Sequence, residues 1–196
     1  MRRNVLILLA QGFEAYEASV FTDVFGWAGK VCRLPIRAVT AGLRAMIDCT
    51  WNFRVSPEIS ISNLKSEEYF ALVVPGGFGS AGYFGDAFDG DFLRVIEEFH
   101  RDRRPIVGVC VGALALGKAG ILAGRKATTY HREKGRWLSQ LASMGACVVK
   151  EPVVIDENLI TCASPAAAFE AAFVLLEMLE GRQGRRRGEI EMGVKS

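Results

Sequence analysis

Residues 106–114, IVGVCVGAL, decide how this chain folds. Pro105 and the β-branched pair Ile106-Val107 come before the cysteine. Ala113, Leu114, Ala115 and Leu116, all good helix formers, come after it. This order predicts a strand, a sharp turn and a helix, with Cys110 on the turn. Gly108 and Gly112 lie two residues to either side. A tight strand-to-helix elbow needs small residues there, because the two elements pack closely around it. A thiol at a helix N-terminus feels the positive end of the dipole, and its pKa can fall from about 8.5 to roughly 3.5–7.5. The competing reading is an inert core cysteine, since free cysteine is among the most buried residue types. The glycines on both sides favour the reactive elbow.

With 196 residues the chain is long enough for one domain with a sizeable core. Its 50% hydrophobic content fits a compact fold and argues against disorder. A net charge of +2 gives no case for a nucleic-acid partner. The five cysteines (32, 49, 110, 147, 162) are odd in number and widely spaced. No CxxC pair or metal-like Cys/His cluster appears, so the expectation is a reducing, cytoplasmic setting with no metal and no cofactor. The opening MRRNVLILLA mimics a signal peptide, but its apolar run extends only from Val5 to Ala10, and Gln11, Gly12 and Glu14 follow without a cleavage-like site. It reads as a first strand. No apolar run is long enough to span a membrane, so no membrane partner is expected.

Outward from the elbow, strands are predicted at 4–10, 34–40, 70–74, 125–129, 147–149, 153–155 and 159–162, with a small antiparallel hairpin somewhere in 43–62. Helices are predicted at 14–29, 91–100, 132–144 and from Pro165 to about Glu180. The helix at 91–100 places Phe92, Val95, Ile96 and Phe99 on one face. Strands alternating with helices imply a single-domain α/β fold, a mostly parallel sheet with helices on both faces. This domain covers residues 1–180. Residues 181–196, which include three consecutive arginines, read as a polar, solvated C-terminal extension.

In doubly wound sheets, ligands bind at the carboxyl ends of the strands. Four predicted loops there carry residues able to do chemistry. Glu14 and Glu17 follow the first strand, three apart on neighbouring turns of a helix start. They read either as first-turn acids favoured by the dipole or as a carboxyl beside the Cys110 sulfur, its pKa raised by burial. Gly76 and Gly77 lie in PGGFGS (75–80), where backbone can approach a ligand closely and N–H groups can join that of Val111 in an oxyanion hole. Tyr130 and His131 follow the strand ending at Thr129. His131 is the plausible imidazole partner for Cys110. Strict alternation along an extended strand, however, points Tyr130 and His131 to opposite faces and favours Tyr130 at the pocket.

Taken together, LLAQGFEAYEA (8–18), VVPGGFG (73–79), GVCVGALALGKAGILAGRKATT (108–129) and ITCASPAAAFEAAFVLLEML (160–179) resemble the ThiJ/PfpI superfamily over nearly the whole chain. The resemblance implies a flavodoxin-like sandwich with the reactive cysteine at the elbow. It implies that Glu17, rather than Glu14, is the carboxylic acid hydrogen-bonded to the Cys110 sulfur, and that Gly77 and Val111 supply oxyanion-hole amides. It also implies a homodimer. The chain departs from the family pattern in two places. Deglycase-like members carry a histidine directly after the Thr-Thr pair, where this chain has Tyr130 and then His131. Peptidase-like members carry a histidine directly after the cysteine, where this chain has Val111.

Two functional classes follow. In the first, an enzyme, Cys110 adds to a small electrophile such as a reactive carbonyl, in glyoxalase- or deglycase-like chemistry, with Glu17 moving the proton and His131 the candidate base. In the second, a redox-responsive or chaperone-like protein, Cys110 is oxidised without turnover. Carbon–nitrogen bond hydrolysis and isonitrile hydration are further alternatives within the family.

Overall fold

The computed structural model describes residues 3–132 and 134–194. A seven-stranded sheet forms its centre. It is built from β1 (Arg3–Leu9), β2 (Ile36–Gly42), β5 (Ile59–Ser60), β6 (Tyr69–Val74), β7 (Ile106–Val109), β10 (Val153–Asp156) and β11 (Leu159–Cys162). The order is β10-β11-β7-β6-β1-β2-β5. Every neighbouring pair is parallel except the antiparallel edge pair of β10 with β11. The hairpin expected within 43–62 is β3 (Ile47–Asp48) paired with β4 (Arg54–Val55). Two further short strands, β8 (Lys126–Ala127) and β9 (Cys147–Val148), pair parallel outside the main sheet.

The central strands are covered on both faces, which is why they read as continuous apolar runs rather than alternating ones. Val5 to Leu8 and Ile106, Val107 and Val109 have no solvent exposure. On one face α1 (Ala15–Lys30) packs against α6 (Pro165–Glu191). On the other lie α3 (Gly90–Arg101), α4 (Gly112–Lys118) and α5 (Arg136–Ser143), with the short α2 (Tyr83–Ala87) against α3. The α3 stripe of Phe92, Val95, Ile96 and Phe99 is fully buried, and the Asp89 side chain caps the helix by accepting from the Asp91 N–H at 2.9 Å. This is a mostly parallel α/β sandwich of the flavodoxin-like kind. Among the described residues no helix is long and apolar enough to cross a membrane.

Three segments differ from the sequence-based expectation. The strand expected at 125–129 is shorter, because the Thr128 N–H donates to the Thr161 hydroxyl at 2.9 Å instead of continuing the ladder. The helix expected from residue 132 starts at Arg136, after Gly135 in the left-handed region at φ 75°. The tail expected as a solvated extension from residue 181 is helical to Glu191 and turns back on itself at Gly181, at φ 73° and ψ 175°. In the returning segment Arg185 grips Glu170, Glu177 and Glu189. Gly184 and Gly188 are buried there, the latter against Leu176 and Phe173. Residues 195 and 196 lie outside the described residues.

Candidate active site

Cys110 lies just beyond β7, at the carboxyl edge of the sheet, and takes a left-handed backbone conformation at φ 53°. A non-glycine residue rarely adopts this, and its surroundings hold it there. The Cys110 N–H donates to the Cys162 carbonyl at 2.8 Å, and the Cys110 carbonyl accepts from the Thr129 hydroxyl at 2.7 Å. The elbow is sterically tight at both glycines. A Cβ on Gly112 would sit 2.3 Å from the Val74 carbonyl oxygen, and one on Gly108 would sit 3.0 Å from the Ala113 Cα.

The loop after β1 is bound to the loop after β6. The Glu14 N–H donates to the Gly76 carbonyl at 2.9 Å, and the Phe78 N–H to the Gly12 carbonyl at 3.1 Å. Phe13 and Gly77 form an antiparallel bridge between the two loops. This lacing sets the start of α1, with Glu14 as the residue before the helix and Glu17 in its first turn. Glu17 points inward and is fully buried. Its Oε2 accepts from the Gly76 N–H at 2.6 Å, and its carboxyl also reaches the Cys110 side chain. The other oxygen, Oε1, is buried with no partner of ordinary hydrogen-bond geometry among the described residues. Gly76, expected as an oxyanion or substrate contact, is therefore a seat for Glu17, because its N–H is already engaged. A Cβ there would come within 2.8 Å of Glu17 Oε2 and 3.0 Å of the Val111 nitrogen.

Burial, and next the neighbouring Glu14 charge, push the Glu17 carboxyl up to about 8. Burial and the Glu17 carboxylate likewise push the Cys110 thiol up, while the Val111 N–H pulls it down. The lowered thiol pKa expected from the helix dipole is thus outweighed by desolvation. The two groups titrate as a pair, and near neutral pH the pair holds at most one negative charge. With its proton on, Glu17 no longer repels a thiolate and can donate its O–H towards the sulfur. Tyr83 lies fully buried alongside, its hydroxyl donating to the Pro75 carbonyl at 2.6 Å.

Above the sulfur is a cavity of about 560 Å³, lined by Glu14, Gly77, Phe78, Gly79, Ser80, Phe84, Cys110, Val111, Tyr130, Arg136, Trp137 and Pro165. The structure thus brings Cys110, Gly77, Val111 and Tyr130 to one cavity, with Glu17 buried beneath. His131 is not among the lining residues, although its neighbour Tyr130 is. Its Nδ1 is buried without a hydrogen-bond partner among the described residues. Sequence reasoning missed Phe78, Gly79, Ser80, Phe84, Arg136, Trp137 and Pro165. Phe78, Gly79 and Ser80 are in the glycine-rich loop already singled out, whereas nothing local marks the other four. Among the described residues no cluster of histidine, cysteine and acidic side chains is arranged to hold a metal ion.

The DJ-1/PfpI family model matches residues 3–178. Over 186 residues the chain is 30% identical to the Drosophila melanogaster protein dj-1beta, which covers 93% of this chain and 92% of that protein. The crystal structure of Drosophila melanogaster DJ-1beta superimposes with a TM-score of 0.85, 26% identity and complete coverage of both chains. Schizosaccharomyces pombe DJ-1 shares the fold at a TM-score of 0.79 and 22% identity, covering 96% of this chain and 98% of its own.

Proposed function

The chain belongs to the DJ-1/PfpI family, and from that premise we propose that it acts on small reactive carbonyls with Cys110 as the nucleophile. The observation that carries this reading is the fully buried Glu17 set against the Cys110 thiol, on a backbone fixed at positive φ beneath an open cavity. From the singly charged form of the pair, the Cys110 thiolate adds to the carbonyl carbon and the carbonyl oxygen takes the proton of Glu17, giving a hemithioacetal and leaving Glu17 as carboxylate. Amides of Gly77 and Val111 serve the developing oxyanion. For an α-oxoaldehyde, Glu17 as carboxylate then takes the proton from the former aldehyde carbon and returns it to the neighbouring carbon, while the hydroxyl proton of the former aldehyde carbon passes to the oxygen of that neighbouring carbon. The product is a hydroxy-acid thioester, which water cleaves to free the thiol. A carboxyl near 8 suits both roles at neutral pH. Tyr130 serves as a hydrogen-bond donor rather than a base.

A second reading is favoured by the absence of imidazole from the described cavity lining. In it, peroxide oxidises Cys110 and Glu17 donates a hydrogen bond to a sulfinate oxygen, with little turnover. Methylglyoxal consumption by the wild type against Cys110→Ser separates the two. Cys110-dependent turnover supports the first reading, and stable sulfinate without consumption supports the second. The five described cysteines are all free thiols, which fits work in a reducing, cytoplasmic compartment, and a homodimer is the assembly we propose.

A further inference from the structure

We propose that the cavity selects carbonyl compounds carrying a second, anionic group, a carboxylate or phosphate, and that Arg136 is the residue that recognises it. This inference rests on the carbonyl reading of Cys110 and adds the class of substrate. About 560 Å³ is far more room than a three-carbon aldehyde needs, and it falls within the roughly 300–1,000 Å³ of sites that hold drug-sized ligands. The walls are of two kinds. Phe78, Phe84 and Trp137 supply aromatic surface, the last two in contact at 5.4 Å between ring centroids. Such a wall suits an apolar or planar body between two polar ends.

Arg136 supplies the other kind of wall. Its guanidinium lies 4.3 Å over the Trp137 ring, which orients it at the cavity. Among the described residues it forms no ion pair, whereas Arg44, Arg125 and Arg185 are each held by carboxylates. An oriented guanidinium presents a planar fork of N–H donors that matches carboxylate and phosphate oxygens two at a time. Glu14 is the one acid of the described lining. It sits at the start of α1 beside Glu17. In the assembled complex the Cys110 thiolate adds to the carbonyl carbon, the carbonyl oxygen takes the proton of Glu17, which is left as carboxylate, and the anionic end pairs with Arg136. No group leaves.

Three aldehydes of one shape test this: 4-formylbenzoate, 4-formylphenyl phosphate and methyl 4-formylbenzoate. Loss of aldehyde absorbance reads the reversible adduct in the wild type. Tryptophan fluorescence reads non-covalent binding in Cys110→Ala. Each anion is expected to bind about tenfold tighter than the ester in both proteins, the scale of one charge-assisted contact at an open site. Arg136→Gln should bring the anions down to the level of the ester, and Arg136→Lys should restore part of the preference. An ester that binds as tightly as the anions, or a preference that survives in Arg136→Gln, would overturn the proposal. If no adduct forms at Cys110 but Cys110→Ala still prefers the anions through Arg136, the carbonyl reading fails while the anion site stands.

Discussion

Replacing Glu17 with glutamine should stabilise the protein at neutral pH while disabling its chemistry. Glutamine keeps a carbonyl oxygen for the Gly76 N–H, now at 2.6 Å from the carboxylate, and keeps the volume of the side chain. What it removes is the cost of ionising a buried acid. Raising a carboxyl from 4.5 to about 8 corresponds to roughly 5 kcal/mol of differential stability. The folded state holds this proton more tightly than the unfolded state, so the burial cost is absent below pH 4.5, grows as pH rises and is complete above about 8. The difference between Glu17→Gln and wild type should therefore grow from about 1 kcal/mol at pH 5 to about 3 at pH 7 and about 4 at pH 8. These are upper figures, because the Cys110 thiol can carry part of the charge. At pH 7 the gain is a rise in Tm of roughly 6–12 °C for a chain of this size. Urea unfolding of both proteins at pH 5, 6, 7 and 8 measures it. A difference that stays flat across this range, or a variant less stable than wild type at pH 7, would refute the reasoning. Carbonyl turnover should fall by about 100-fold or more, the scale of a positioned proton donor.

Gly112→Ala should cost about 3 kcal/mol or more, since its Cβ would meet backbone oxygen at 2.3 Å, and thermal unfolding reads the loss. A variant within 1 kcal/mol of wild type would show that the elbow relaxes easily. Limited iodoacetamide labelling of the native protein, read by mass spectrometry, should mark the exposed Cys147 and the cavity-facing Cys110, and spare the fully buried Cys32 and Cys162. The Cys110 rate should rise with pH, because burial and the Glu17 charge hold its thiol up. Labelling of Cys162 ahead of Cys110 would contradict this. Tyr130→Phe should impair carbonyl turnover more than His131→Ala, and a 100-fold loss confined to His131→Ala would assign the base to the imidazole instead.

The central strands were legible because burial on both faces leaves unbroken apolar runs such as those of β1, β6 and β7. The elbow was legible because close packing bars a side chain at 112 and crowds one at 108, so both positions carry glycine. Elements set by distant partners were less so. β8 ends where a hydroxyl from Thr161, 33 residues away, takes the Thr128 N–H, and no local pattern encodes that. The return of α6 was hidden because its arginines read as a solvated run. Arg185 in fact satisfies carboxylates on the helix it came from, and the small residues Gly184 and Gly188 let the segment lie close. The cavity walls at Phe84, Arg136 and Trp137 come from segments that only the assembled sheet brings to Cys110. The thiol also shows where local rules stop. A dipole argument lowers its pKa, whereas burial beside a carboxyl raises it.

Both peptide groups of Cys110 are tied to neighbouring strands or loops, its N–H to the Cys162 carbonyl and its carbonyl to the Thr129 hydroxyl. The nucleophile is therefore anchored by main-chain and threonine contacts that no cavity-wall side chain supplies. The walls themselves come largely from the stretch after β6 and the start of α5. Changes in those walls can retune which molecules enter without disturbing how the sulfur is aimed. On this scaffold, substrate scope can drift by wall substitution while the reactive centre is inherited intact.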